Sequence, residues 1–129
     1  MRANNFDYAV IRVVPRVDRG EFLNAGVILF CRPQRFLAAV VELDEARLAA
    51  LAPGADLVEI QRHLDLIPAI CRGGAGSGPI GALSQAERFH WLVSPRSSVI
   101  QTSPVHCGLA DDLEAALRDV VARLVVVGA

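Results

Sequence analysis

Short runs of apolar, often β-branched residues dominate the first third of the chain. The runs 8–14 (YAVIRVV), 27–31 (VILFC) and 36–43 (FLAAVVEL) have the length of single strands and are bounded by proline, glycine or charged residues. The short turn 32–35 joins the second run to the third, which predicts an antiparallel hairpin. The run 97–102 (SSVIQT) predicts a fourth strand later in the chain.

The remaining apolar residues recur every three or four positions, which is the spacing of one face of a helix. Helices are predicted over 45–51, 57–71, 85–94 and 113–124. Asp44 and Ser84 precede the first and the third of them as N-caps, and Glu87 completes a capping box. Pro68 is expected to kink or shorten the second helix. The glycine-rich stretch 73–81 is expected to be a flexible loop.

The order of these elements predicts the class of fold. Three strands come first, helices follow, and a strand and a last helix end the chain. Strands joined by short turns pair antiparallel, and helices cover the apolar face of the sheet that results. We therefore expect one α+β domain over 1–129. It should have two layers, a mainly antiparallel sheet of about four strands and helices packed on one face.

The composition is that of a folded protein, and it excludes two kinds of chemistry. Of the 129 residues, 53% are hydrophobic and 21% are charged, and the formal net charge is −1. All thirteen basic residues are arginine, so Schiff-base catalysis and a P-loop lysine are excluded. Six of these arginines, against three acids, lie in 1–40, which keeps a nucleic-acid role open. The few aromatic residues argue against such a role, because aromatic side chains usually provide the surface on which bases stack.

The cysteines indicate a reducing compartment. Cys31, Cys71 and Cys107 are odd in number, far apart and in no C-x-x-C pair, which argues against a disulfide framework or a zinc knuckle. The first residues lack an apolar signal region. No apolar run is long enough to span a bilayer. We expect a soluble cytoplasmic protein that does not enter a membrane.

Catalytic and metal-binding motifs find little support. The three histidines have neither i,i+3 nor i,i+4 spacing, so we expect no metal and no cofactor. The stretch 73–81 follows a helix and lacks the P-loop signature, which favours a connector over a phosphate cradle. A nucleophilic thiolate formed by Cys107 and a histidine stays open. His106 is adjacent to it, but neighbours on an extended chain point to opposite sides.

Polar side chains stand near the ends of the predicted strands and on the third predicted helix, and they are the best candidates for a site. They are Arg19, Glu21, Asn24, Arg88, Arg96 and Ser97. If the fold brings them together, arginine, carboxylate and amide groups could bind an anion or a polar partner. The alternative is a structural role, in which salt bridges hold the entry of a strand and bind nothing.

Two of these regions carry a family pattern. The motif Y-x-x-x-R-x-x-P begins at Tyr8, and R-x-E-x-x-N-x-G-V begins at Arg19. A second block contains RF at 88–89 and PRSS at 95–98. Together they resemble the bacterial family called domain of unknown function family 3037. Members of that family are often encoded beside proteins with a kinase-like domain similar to the HipA toxin kinases. The resemblance therefore implies an accessory or antitoxin-like partner role.

These observations lead to one expected function and two alternatives. We expect a small accessory or regulatory binding protein, whose partner is a HipA-like kinase-type protein or a second copy of the chain. The first alternative is an enzyme or phospholigand-binding domain built on the arginine, glutamate and asparagine residues. The second is a nucleic-acid-binding module. The lack of a recognisable catalytic constellation in the sequence favours binding over catalysis.

Overall fold

The computed structural model describes residues 3–127, and within them the strands form a single antiparallel sheet. The strands are β1 Asn4–Val13, β2 Leu23–Cys31, β3 Phe36–Val41, β4 Ile100–Thr102 and β5 His106–Ala110. Their order is β3-β2-β1-β4, and β5 also pairs with β1. Since β4 pairs with 11–13 and β5 with 4–8, these two short strands lie end to end along one edge of the sheet.

A bulge opposite Val10 separates β4 from β5. The hydroxyl of Ser103 accepts a hydrogen bond from the N–H of Val10 at 2.8 Å, and the N–H of Ser103 donates to the carbonyl of Val10 at 2.8 Å. Pro104 follows and has no N–H to donate. The chain then re-enters the sheet as β5 with its register shifted by one residue.

Four of the five helices in residues 3–127 begin directly after a capping residue. The fifth, a single turn at 78–81, has no side-chain cap and lies in the stretch 73–81 that was expected to be a loop. The helices are α1 Glu45–Leu51, α2 Leu57–Arg72, the single turn α3 Gly78–Gly81, α4 Gln85–Val93 and α5 Leu113–Leu124. Asp44, Asp56, Ser84 and Asp112 each accept a hydrogen bond from the backbone N–H three residues on. Pro68 does not shorten α2, which continues to its C-cap. No helix within residues 3–127 is long and apolar enough to cross a membrane.

Helices cover both faces of the sheet. In β2, Ile28 and Phe30 point toward α1, α2 and α4, whereas Val27, Leu29 and Cys31 point toward α5. The α+β class and the antiparallel sheet are confirmed, but the placement of all helices on one face does not hold for α5. The physical reason lies in β2, which is apolar at every one of these positions. A strand of that kind needs cover on both sides, so the domain has three layers.

The strands differ from the prediction at their starts and at the edge of the sheet. β1 and β2 each begin four residues before the predicted runs 8–14 and 27–31. The fourth strand starts at Ile100, three residues later than predicted, and β5 was not predicted. Its residues, HCGLA, include no β-branched side chain and so give a weak strand signal. Gly108 lies directly beneath Phe6, where any Cβ would collide with the ring. Tertiary packing against β1 therefore decides that this stretch is extended.

The entry of β2 contains a second bulge. Gly26 lies opposite Ile11 and Asn24 lies opposite Arg12, which leaves Ala25 as an extra residue. A Cβ at Gly26 would collide with the carbonyl of Val40 on β3, so only glycine allows the two strands to approach this closely. The stretch Asn24-Ala25-Gly26 therefore determines the path of the backbone at the start of β2, through the bulge and the close approach to β3.

Candidate functional site

A cavity of about 600 Å³ lies between α2 and the chain that enters β4. Ile60 of α2, the segment 98–100, the turn 52–55 and Pro15 after β1 contribute most of its lining. These walls are largely apolar. A cavity of this size and character suits a large apolar side chain or a ring.

The first turns of α2 supply most of the polar groups of this cavity, and Arg16 and Ser98 supply the others. The carboxylate of Glu59 accepts hydrogen bonds from Nη2 of Arg62 at 2.6 Å and from Nε2 of His63 at 2.8 Å. These hydrogen bonds, that of Arg62 first, hold the pKa of Glu59 below its usual value. Glu59 is therefore ionised at neutral pH, and it keeps the imidazole of His63 beside the cavity.

A smaller cavity of about 170 Å³ continues from the first along α2. His63, Ser98 and Ile100 line both cavities, so the two form one groove, which we call the α2–β4 groove. Leu66 and Trp91 line its smaller part, and they are 52% and 40% exposed to solvent. Large apolar side chains are thus presented to solvent inside a concave surface, which is typical of a binding site.

Arg96 lines the smaller part of the α2–β4 groove. Its guanidinium lies 4.4 Å from the centroid of the Trp91 ring. It also donates to the carbonyls of Trp91 at 2.5 Å and Leu92 at 3.0 Å, at the negative end of α4. Within residues 3–127 no carboxylate lies at ion-pair distance from Arg96. Its charge can therefore be matched by a carboxylate from outside the chain.

The groove offers contact surface and charge without an aligned nucleophile. The hydroxyl of Ser98 donates to the carbonyl of Ile100 at 2.8 Å, and His63 is bonded to Glu59, so the hydroxyl and the imidazole do not meet. In the part of the chain that the structure describes, no three His, Cys, Asp or Glu side chains cluster as metal ligands. The arrangement can bind, but these groups do not form a triad.

The side chains predicted as a site lie in separate places. Arg19 and Glu21 form an ion pair in the turn between β1 and β2, with 2.5 Å from Nε to Oε1, and both are exposed. Their hydrogen bond raises the pKa of Arg19 and lowers that of Glu21. An exposed pair of this kind contributes little to stability. Whether it meets a partner stays a prediction.

Asn24 holds the end of α5. Its Nδ2 donates to the carbonyl of Leu124 at 2.9 Å, and its Oδ1 is buried without a partner among the described residues. On the neighbouring strand, the guanidinium of Arg12 lies 4.2 Å from the centroid of the Phe22 ring. The amide of Asn24 thus has a structural partner on the α5 side of the sheet.

Arg88 is buried on the opposite side, between α2 and α4. Its Nη1 donates to the carbonyls of Ile70 and Cys71, and its Nε donates to the carbonyl of Leu83. Gly73 leaves room for this guanidinium, since a Cβ there would lie 2.8 Å from Nη1. Arg88 therefore caps the end of α2.

Of the predicted site residues, only Arg96 lines the groove, and Ser97 is not part of its lining. Ser97 is the exposed residue that follows Arg96. The sequence prediction missed Leu66, Trp91 and His63. Leu66 falls outside the apolar spacing that defines the buried face of α2, and an apolar residue in such a place is a signal that could have identified the groove.

The thiols are not activated. Burial raises the pKa of Cys71 to about 12. Cys107 is exposed, but its Sγ donates to Oδ1 of Asp7 at 3.4 Å, and this hydrogen bond raises its pKa as well. The ring of His106 packs against Tyr8, with 5.4 Å between the centroids. Cys107 thus meets a carboxylate, and not the histidine that a nucleophilic thiolate requires.

Together these features define a small three-layered α+β domain with a groove between α2 and β4. A family model described as protein of unknown function (DUF3037) matches residues 8–125. The match covers nearly the whole chain, so the chain belongs to this family, as the motifs predict. No curated protein and no solved structure matched the chain.

Proposed function

We propose that this protein is an accessory binding module and that the α2–β4 groove holds a segment of a partner protein. The observation that carries this proposal is the combination, in one groove, of a largely apolar cavity of about 600 Å³ with the unpaired cation of Arg96. A partner segment that fits would present a large apolar side chain to the cavity. It would also present a carboxylate to Arg96.

The exposed walls of the smaller part support a protein partner. Trp91 and Arg96 are stacked on each other, so both are held in place before a partner arrives. Tryptophan and arginine are the residue types that most often dominate the energy of protein interfaces. Little side-chain entropy would be lost on binding, because the stack and the carbonyl bonds already fix the guanidinium.

The charges that line the larger cavity of the groove favour a protein segment over a phosphorylated ligand. The free N–H groups at the start of a helix can bind phosphate. At the start of α2, the side chain of Asp56 already accepts a hydrogen bond from the N–H of Glu59. Arg16 in the same lining is already paired with Asp18 at 3.1 Å, and the carboxylate of Glu59 would repel an anion. An apolar side chain is not affected by this repulsion. The enzyme or phospholigand alternative therefore has less support.

The first candidate partner is the HipA-like kinase-type protein that the family resemblance implies. This choice rests on the resemblance alone, whereas the groove rests on the geometry. Regulation of such a protein by a small bound domain would fit an accessory role. The nucleic-acid alternative gains no support from the groove, because its lining offers one exposed indole for stacking and balances its two arginines with two carboxylates.

A binding titration of the two purified proteins tests both parts of the proposal. Leu66→Glu should weaken binding at least about tenfold, because it places a charge on the groove wall. Val58→Glu is the matched control, since Val58 lies on the same helix, is 79% exposed and lies outside the groove lining. Equal losses in both variants would reject the groove as the site.

Two further measurements separate the identity of the partner from the mode of binding. If the two proteins elute separately at micromolar concentrations, the HipA-like partner is rejected. Thermal unfolding with nucleotides and phosphorylated metabolites tests the alternative, since a ligand that binds only the folded state raises the midpoint. A rise that Arg96→Ala removes would favour the phospholigand.

A further inference from the structure

The outer edge of β5 is open, since within residues 3–127 this strand pairs only with β1. Val10 directs both its N–H and its carbonyl at Ser103 on this side of the sheet. The N–H and carbonyl groups of successive residues in a strand point to opposite sides. The backbone groups of the even-numbered residues of β1 therefore point toward β5, and those of their partners His106, Gly108 and Ala110 point back toward β1. The N–H and carbonyl groups of Cys107 and Leu109 therefore point away from β1.

This edge lacks the features that usually prevent strands from pairing between molecules. Such edges are normally interrupted by charged side chains, proline or a bulge. The sequence of β5, HCGLA, contains no charge and no proline, and Leu109 is 67% exposed. Pro104 and the bulge precede β5, and Asp111 and Asp112 follow it. The open stretch is thus limited to the five residues 106–110.

We propose that β5 pairs antiparallel with β5 of a second copy of this chain, about a two-fold axis at Gly108. In this register Cys107 lies opposite Leu109 of the second copy, and His106 lies opposite Ala110 of the second copy. Each large side chain meets a small one, and glycine meets glycine. Cross-strand neighbours on one face are the contacts that stabilise a strand pair, so this pattern is self-complementary.

The backbone and the charges fit the same register. The outward N–H and carbonyl groups of Cys107 and Leu109 would form four hydrogen bonds with the same groups of the second copy. Asp111 and Asp112 would lie opposite Val105 and Pro104 of the second copy, so no two acids face each other. The exposed side chain of Leu109 would be covered by the pair. These are the reasons for a second copy as the occupant.

We expect the contact to be weak and to form dimers but no larger assemblies. A five-residue edge is much smaller than the interfaces of about 1,200 Å² that hold stable complexes, so we expect a dissociation constant on the order of 100 μM. A two-fold contact uses the same surface on both copies and therefore stops at two. The α2–β4 groove lies outside β5, so this inference is independent of the proposed function.

Sedimentation equilibrium of the full chain in a reducing buffer, up to about 1 mM, should show a monomer and a dimer in exchange. Leu109→Glu should weaken the dimer at least about tenfold, because two charges would then enter the contact. Leu66→Glu, an equivalent change in the groove, should leave the dimer unchanged. A chain that stays monomeric throughout, or a dimer that Leu109→Glu leaves intact, would overturn the proposal.

A backbone variant tests the same contact without a new charge. Cys107→Pro removes an outward N–H and keeps the hydrogen bonds to β1, so it should abolish the dimer while Cys107→Ser retains it. Circular dichroism checks that each variant folds. Hydrogen exchange of the wild-type amides gives a result without any variant. The amides of Cys107 and Leu109 should exchange more slowly as the concentration rises, and unchanged rates would reject the pairing.

Discussion

Nη1 of Arg88 lies 2.7 Å from the carbonyl oxygen of Cys71, in the last turn of α2. The same nitrogen donates to Ile70 at 2.9 Å, and Nε donates to Leu83 at 3.0 Å, so the guanidinium joins the end of α2 to the chain that precedes α4. Arginine carries donors in a fixed fork, which is why one side chain can satisfy three carbonyls of two segments. Arg88 is therefore part of the framework that holds one wall of the groove.

Replacement of this guanidinium should make the folded domain less stable. We expect Arg88→Ala to lower the free energy of unfolding by about 3 kcal/mol, because three carbonyls, two of them buried, lose a charged donor. Arg88→Lys should recover only part of this, since an ammonium cannot reproduce the fork. Urea denaturation measures both. Arg19→Ala is the control, an exposed arginine whose loss should leave the urea midpoint unchanged. Wild-type stability of Arg88→Ala would contradict the capping role.

The bond from Asn24 to Leu124 can be tested by an isosteric change. Asn24→Asp replaces the donor with a carboxylate that faces a carbonyl oxygen, so we expect a loss of about 2 kcal/mol at neutral pH. The folded state should raise the pKa of the new carboxyl, so the loss is present above its unfolded pKa. It should shrink as the pH falls, because the protonated form can donate. Denaturation curves at several pH values check this, and a pH-independent loss would contradict it.

Glu59 makes the stability of α2 depend on pH. Its pKa lies below the usual value of 4.5 in the folded chain, so the unfolded chain takes up a proton more readily as the pH falls. The stability that Glu59 contributes is therefore full above about pH 4.5 and is lost as the pH falls through its folded pKa. Comparison of urea midpoints for the wild type and Glu59→Gln should show a gap at neutral pH that closes in acid.

A matched variant controls this comparison. Glu114 is an exposed glutamate at the start of α5 that makes no ion pair among the described residues. Glu114→Gln should therefore not reproduce the pH-dependent gap. If Glu59→Gln and the control behave alike at every pH, the contacts of Glu59 with Arg62 and His63 do not stabilise the helix.

The three cysteines should differ sharply in reactivity. In the folded chain in dilute solution, only Cys107 should react with a thiol reagent at mildly alkaline pH. Cys31 and Cys71 are 1% and 2% exposed and should react only after urea is added. Asp7→Asn should accelerate the reaction of Cys107, since the carboxylate raises the pKa of that thiol. Cys107→Ser should leave no reactive thiol, and rapid labelling of Cys71 in the folded variant would contradict its burial.

The candidate site shows where reasoning from the sequence reaches its limit. Arg19, Glu21 and Asn24 are neighbours along the chain, yet the bulge at Ala25 places Asn24 under α5 while the other two stay in an exposed turn. Arg88 is a polar residue of the family pattern, but it is buried and satisfied by carbonyls. A motif gives residue types and spacing, and the partners of each side chain depend on which elements meet in three dimensions.

The amino-acid sequence by itself determined the elements with strong local signals. Capping residues indicated the starts of four helices, and β-branched runs located the first three strands without the starts of β1 and β2, because these preferences act over a few neighbouring residues. The family followed from two local motifs. Each of these properties can be read from short stretches, whatever the rest of the chain does.

Only the tertiary structure decided the rest. α5 lies on the second face of the sheet because β2 is apolar on both sides and needs cover on both. The stretch 106–110 is a strand because it pairs with the free edge of β1. The α2–β4 groove joins residues from three distant parts of the chain, and no local pattern encodes a space between them. Such long-range packing is a property of the whole core.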